Sequence, residues 1–239
     1  MYKRIILKLS GETLSPETVS KDNASHSFDA ARVDRAAKAI VALADLGVQV
    51  GVVMGGGNIW RGRFTDAMNP VLADQMGMLA TIINALAVQA AIIRLGHGAA
   101  VFTAQEMTRF AELYRADRAI AAMERGDIVL LAGGTGNPFF TTDPGAVLRA
   151  AELHADAVFK GTTVDGVYDS DPRVNPDAKL IRDITYRETI ERGLKVMDIT
   201  AFQLCREQHI PVIRIFNMDD LDNILRVAKG EDIGTVVHE

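Results

Sequence analysis

The stretch Arg4-Ile5-Ile6-Leu7-Lys8-Leu9-Ser10-Gly11 decides the fold. Its β-branched and apolar run predicts a strand over Arg4–Leu9, closed by a Ser-Gly turn. Outward from it, residues 29–46 predict a helix. Val33, Ala36, Ala37, Ile40, Leu43 and Ala44 recur at helical spacing, and Gly47 stands at the cap position. Residues 48–54 predict a second strand, which runs into Gly55-Gly56-Gly57. A long helix is expected over 70–95, with Pro70 in its first turn and Gly96 beyond its end. Strands follow at Ala99–Thr103 and 127–131, the latter leading into Gly133-Gly134-Thr135-Gly136. Between them, residues 110–124 read as helical. Further on, a helix over 146–154 precedes a strand over 157–160. Residues 164–176, rich in Asp, Gly, Pro and Asn, suggest a surface loop or hairpin. Helices over 184–193, 197–209 and 220–229 and strands over 212–216 and Thr235–His238 complete the chain. This alternation predicts an α/β fold: a three-layer αβα sandwich around a mostly parallel sheet, in one domain spanning 1–239. The polar segment 15–27 has no periodicity and reads as a loop.

Composition narrows the function classes. The chain has 239 residues, 48% hydrophobic and 24% charged, and a net charge of −5. It is long enough for a substantial core, and no global basic field points to nucleic acid or an acidic membrane. The single cysteine, Cys205, excludes an internal disulfide and a four-cysteine zinc site, and its helical setting reads as core. The apolar run at the N-terminus is too short for a signal peptide. The apolar stretch 76–95 is broken by Gly77, Thr81, Asn84, Gln89 and Arg94, which argues against a membrane span. A cytoplasmic protein is expected. The five histidines have no metal-ligand spacing.

Ligands in parallel α/β sheets bind at the carboxyl ends of the strands, where three glycine-bearing turns are expected here. Such turns expose backbone N–H groups to anions, phosphate above all. No Gly-Lys pair exists for a P-loop, and Gly55-Gly56-Gly57-Asn58-Ile59-Trp60 lacks the last glycine of a dinucleotide fingerprint. Lys8 and Lys160 each close an apolar strand, where a lysine is expensive unless its charge has a partner. Brought together, two such lysines could flank a transferring phosphoryl group. Arg61, soon after the triple glycine, is a candidate phosphate fork. Asp74, Asp143, Asp171 and Asp198 are the carboxylates of interest. Ser10 has no His or Asp arrangement to activate it as a nucleophile.

These residues carry a resemblance. Lys8-Leu-Ser-Gly-Glu12, Gly55-Gly-Gly-Asn-Ile-Trp-Arg-Gly62, Asp74-Gln-Met-Gly-Met-Leu-Ala-Thr81, Gly134-Thr-Gly-Asn-Pro-Phe-Phe-Thr-Thr-Asp143, Val164-Asp-Gly-Val-Tyr-Asp-Ser-Asp-Pro172 and Lys195-Val-Met-Asp198 resemble the motifs of the bacterial UMP kinases, within the amino acid kinase superfamily. The resemblance implies transfer of the ATP γ-phosphoryl to UMP, giving UDP and ADP in pyrimidine nucleotide biosynthesis. It implies Mg²⁺ held through the phosphates, and a homohexamer that buries part of the long helix from Pro70. It implies that Lys8 and Lys160 neutralise the phosphoryl and that Asp198 orients Lys8. ATP would meet Lys8, Leu9, Ser10, Gly11, Gly57, Arg61, Thr162, Tyr168 and Asp171. UMP would meet Gly56, Asp74, Thr135, Gly136, Asn137, Pro138, Phe139, Phe140, Thr141 and Thr142. The UMP site and oligomer contacts would lie mainly in the N-terminal part, and the ATP site from about residue 160 onward. Members with a GTP response carry a Gly-Phe-Gly-Ile-Asp-like stretch; here the place reads Ser25-His-Ser-Phe-Asp29, and only Phe28 and Asp29 match.

Two rival readings remain. Acetylglutamate or carbamate kinases would share Lys8, the triple glycine and Lys160. The segment 135–143 tells against them, because Phe139 and Phe140 with flanking Thr hydroxyls suit a planar base and a phosphate better than a small acid. A non-catalytic nucleotide sensor would need no phosphoryl-neutralising pair of lysines.

Overall fold

The strand expected over Arg4–Leu9 forms with those bounds and lies near the centre of a nine-stranded sheet. The structure is a computed structural model that describes residues 2–16, 28–61 and 68–239. Most of the segment 15–27, with three of the five residues compared to the GTP-linked stretch, and Gly62 lie outside the described residues.

In chain order the elements are β1 (Arg4–Leu9), α1 (Ala30–Ala44), β2 (Gln49–Met54), α2 (Pro70–Arg94), β3 (Ala99–Thr103), β4 (Glu112–Leu113), α3 (Ala116–Glu124), β5 (Ile128–Ala132), α4 (Thr142–Glu152), β6 (Ala157–Thr162), β7 (Val167–Tyr168), β8 (Leu180–Ile181), β9 (Asp183–Thr185), α5 (Tyr186–Glu191), α6 (Ile199–Glu207), β10 (Val212–Asn217), α7 (Asp222–Ala228) and β11 (Thr235–His238). The sheet order is β4-β3-β5-β2-β1-β6-β10-β11-β9. All its pairings are parallel except β10 with β11. Two cores follow from the two-residue period of the strands. Ile5, Leu7 and Leu9 pack with α1, α2 and α7 on one face. Ile6 packs with α3, α4, α5 and α6 on the other. Three layers result, as the alternating pattern predicted.

Local chemistry explains the element ends. The Asp29 carboxylate accepts from the Arg32 amide and caps α1. Asn69 caps α2, and Pro70 occupies its first turn without losing a hydrogen bond. The inner face of α2 packs on the sheet and on α1. Its outer face leaves Leu72, Met76, Leu79 and Ile83 exposed. By length and composition alone α2 could cross a membrane, yet its inner face belongs to the core.

Three expectations need correction. Residues 110–124 do not form one helix: a turn and β4 precede α3. Phe110 and Leu113 point outward, so they mimicked a helical core stripe without belonging to one. Residues 184–193 begin in β9 at the sheet edge, and only then does a Thr185/Glu188 capping box start α5. The helix expected over 146–154 starts at Thr142, four residues early. The loop over 164–176 contributes β7, which pairs antiparallel with β8.

Candidate active site

Lys8 and Lys160 are register partners across β1 and β6. The strand period puts both on the α4 face, because Ile6 and Val158, two residues before each, pack there. The first turn of α4 presents Asp143 to both ammonium groups. Its Oδ1 lies 3.5 Å from Lys8 Nζ, and its Oδ2 accepts a hydrogen bond from Lys160 Nζ. Lys160 is only 6% exposed, and Asp143 is buried. Burial holds the Lys160 ammonium below the usual lysine value of 10.5; Asp143 opposes the shift and Lys8 adds to it. Burial alone would raise the Asp143 carboxyl, but Lys160 and Lys8 outweigh it and hold that group below 3.8. Asp143 Oδ1 has no hydrogen-bond partner among the described residues, so its contact with Lys8 is charge pairing. Asp143, rather than Asp198, is thus the carboxylate paired with Lys8. Asp198 precedes α6, accepts a hydrogen bond from the Thr141 hydroxyl, and adds a weaker attraction to Lys160.

The glycine turns meet at the carboxyl ends of adjacent strands. Gly55 N–H donates to Leu9 O at 2.8 Å, tying the end of β2 to that of β1. A side chain on Gly11 would run into Asn58, with the Gly57 amide only 2.9 Å from its Cβ. After β5, Gly133, Gly134 and Gly136 all have positive φ. So does Phe139, at φ 72°, a conformation that strains a non-glycine residue. Asp74 Oδ2 accepts from the Phe139 amide at 2.7 Å and holds that residue. A Cβ on Gly161 would collide with Met218, so the close packing of β6 on Met218 explains the glycine after Lys160.

Three cavities open around these turns. One of about 600 Å³ is lined by Lys8, Ser10, Lys160 and Thr162, with Arg32, Arg35 and Asp219 on its walls. A second of about 620 Å³ shares Thr162 with it and includes Tyr168, Asp171 and Lys195. A third of about 880 Å³ is lined by Gly56, Gly57, Trp60, Arg61, Asp74, Thr81, Thr135, Phe140, Thr141 and Thr142.

The structure therefore gathers most residues expected around UMP in one cavity. It gathers Ser10, Thr162, Tyr168 and Asp171 around two others that join at Thr162. Gly57 and Arg61, expected at ATP, line the cavity of the UMP set. Arg61 ion-pairs with Glu12 and donates to Gly57 O at 3.1 Å. Leu9, Gly11, Gly136, Asn137, Pro138 and Phe139 line none of the three; the Leu9 side chain is buried in the core. Asp171 caps its own turn through the Arg173 amide, at 2.9 Å. Trp60 donates its indole N–H to Ala73 O at 2.8 Å and lines the third cavity. Reading the sequence missed Asp143 as partner of both lysines, and Arg32 and Arg35 as basic walls. The signal for Asp143 was its place at the end of the 134–143 motif, directly before Pro144. No signal marked Arg32 and Arg35 beyond their position in the first turns of α1.

The two lysines thus place positive charge on the wall of the first cavity, at the carboxyl ends of the central strands. Fold and site together define a phosphotransferase, and the comparisons give its family. The chain belongs to the amino acid kinase family, whose model matches residues 3–217. Within that family its relatives include the uridylate kinases of Bacteroides thetaiotaomicron and Parabacteroides distasonis, each 48% identical over 239 residues, covering 99% of this chain and 98% of theirs. The crystal structure of UMP kinase from Bacillus anthracis superposes with a TM-score of 0.93 at 35% identity, covering 99% of this chain and 96% of that one. That of UMP kinase from Ureaplasma parvum gives 0.91 at 36%, covering both chains fully.

Proposed function

We propose that this protein transfers the γ-phosphoryl of ATP to UMP, giving UDP and ADP in the cytoplasmic synthesis of pyrimidine nucleotides. The observation that carries the reading is the pair Lys8–Lys160, register partners held by one buried carboxylate at the edge of a polyphosphate-sized cavity. UMP occupies the cavity of Asp74, Phe140 and Thr142. ATP lays its phosphates past Ser10 and its nucleoside toward Thr162, Tyr168 and Asp171. An oxygen of the UMP phosphate attacks the γ-phosphorus, the bond from that phosphorus to the bridging oxygen breaks, and the bridging oxygen leaves on ADP. The attacking phosphate has its second pKa near 6, so it is ionised at neutral pH and needs no general base. That suits a site in which, among the described residues, neither Ser10 nor a histidine is set up for proton transfer. Lys8 and Lys160 meet the charge on the transferring group, which is the main catalytic demand of phosphoryl transfer. Asp143 pairs with both lysines and aims them, and Asp198 holds the acceptor segment through Thr141.

Among the described residues no three His, Cys, Asp or Glu side chains converge to cage a metal. Mg²⁺ would instead arrive on the ATP phosphates, a mode it favours because it keeps most of its waters. Bound so, it would neutralise part of the charge on the phosphates. The whole chain acts as one domain, with the acceptor site in its N-terminal part and the nucleoside of ATP held from about residue 160 onward. The homohexamer that the resemblance implies would pack α2 on its counterpart, and the exposed stripe Leu72, Met76, Leu79 and Ile83, spaced four-three-four along α2, supports that contact.

The test is ADP release from ATP and Mg²⁺ with UMP, CMP, dUMP, acetylglutamate or carbamate as acceptor, with and without GTP. Turnover selective for UMP is expected. Turnover on a small acid alone, or nucleotide binding without turnover on any acceptor, refutes the reading.

A further inference from the structure

We infer that α2 carries two positioning residues three positions apart: Thr81, which sets the glycine turn of the acceptor side, and Asn84, which locks the crossing of the β1 and β2 turns where the phosphoryl moves. The inference rests on the function proposed above.

Both side chains face inward from an otherwise apolar surface, beside Ala80, Ile82, Ala85 and Val88. A buried amide or hydroxyl is unfavourable there unless its hydrogen bonds are made. Each makes them to a glycine turn. The Thr81 hydroxyl donates to Met78 O at 2.6 Å and accepts from Gly133 N–H at 2.8 Å. Gly133 has φ 78° and opens the run that leads to Phe139 and Thr142. The donor of Thr81 is spent within its helix, so its bond to Gly133 positions the turn.

Asn84 is fully buried and lines none of the three cavities. Its Nδ2 donates to Gly55 O at 2.6 Å and to Asn58 Oδ1 at 2.7 Å. Its Oδ1 accepts from Asn58 Nδ2 at 3.0 Å. This paired amide clamps both ends of the triple-glycine turn. The same Nδ2 lies 3.1 Å from where a Gly11 Cβ would stand, so the amide fills the space between the two turns. Satisfying buried backbone this way fixes loops that otherwise have the freedom of glycine. Misplacing a reacting group by an ångström lowers rate steeply without a comparable loss of binding.

The experiment compares Thr81→Val, Thr81→Ser, Asn84→Leu and Asn58→Ala with the wild-type protein. Thr81→Val keeps the volume and removes the hydroxyl. It is expected to raise KM for UMP about tenfold while KM for ATP moves by less than about twofold, and Thr81→Ser restores the wild-type value. Asn84→Leu is expected to lower kcat by roughly 10- to 100-fold with both KM values little changed. Amide hydrogen exchange should quicken at 133–137 in Thr81→Val alone, and at 55–58 in Asn84→Leu alone. Should Asn84→Leu not fold, Asn58→Ala removes the same amide pair from the loop side and must reproduce the loss of kcat. Equal shifts of both KM values, or unchanged exchange in both segments, overturns the inference. A wild-type protein that does not phosphorylate UMP overturns the functional reading, and the exchange data still decide whether these side chains set the turns.

Discussion

Replacing Asp143 by asparagine keeps the volume and removes the one carboxylate that two neighbouring lysines share. At the observed 3.5 Å, one such contact is worth about 4–5 kcal/mol at an effective dielectric of about 20. Deleting one partner of a buried pair costs about 3–5 kcal/mol, because the other charge is stranded. For a chain of this size that lowers the melting temperature by roughly 6–20 °C. The pH dependence discriminates this from a packing defect. In the wild-type protein the Asp143 carboxyl is held below 3.8. Its stabilisation is therefore complete above that value and is lost as pH falls through the lower, folded-state one. In the variant Lys160 keeps its burial and loses the attraction that opposed it, so its ammonium moves further below 10.5. The penalty of holding that charge is present below the new folded-state value and is relieved as pH rises through it. The gap between the two melting curves should thus be widest near neutral pH and close toward both ends. ATP should stabilise the variant more than the wild type, because phosphate replaces the missing negative charge. Thermal melts from pH 3 to pH 10, with and without ATP, make the measurement. A gap that is the same at every pH, or a variant that melts with the wild type at neutral pH, refutes the shared-carboxylate argument.

Lys160→Ala is expected to lower kcat by roughly 10²–10³, the effect of removing a donor of positive charge to a transition state; steady-state rates at saturating ATP and UMP check it. Asp74→Asn weakens the hold on the strained Phe139 amide, so KM for UMP should rise far more than KM for ATP, and equal changes would break the link between Asp74 and the acceptor. Changing Leu79 and Ile83 together to Asp places charges in the exposed stripe of α2. Sedimentation should then register a smaller assembly than the wild type at the same concentration, with helical content unchanged.

Much of the fold was legible because local and global demands agree. The strand and helix of residues 4–9 and 30–44 follow from apolar period and capping, and the lysines stood out as cations inside apolar strands. Where the pattern misled, a surface had borrowed the look of a core. Phe110 and Leu113 are apolar and exposed, so periodicity counted them toward a helix that begins only at Ala116. The site shows a different gap. A strand period of two says that Lys8 shares a face with Ile6, but it does not say which of four carboxylates arrives there. Asp143 arrives because α4 starts at Thr142, earlier than its apolar pattern suggested, and that start depends on the Gly133–Phe139 turn held from α2. The small residue after Lys160 was likewise unreadable alone, since Met218, which packs against it, is 57 residues away in the chain. The chemistry therefore depends on which elements meet. Here the meeting is arranged by α2, whose Asp74 and Thr81 hold the two ends of the Gly133–Phe139 turn and whose Asn84 holds the triple-glycine turn. A single helix therefore orders both turns from one end of the sheet, while its opposite face stays apolar and exposed.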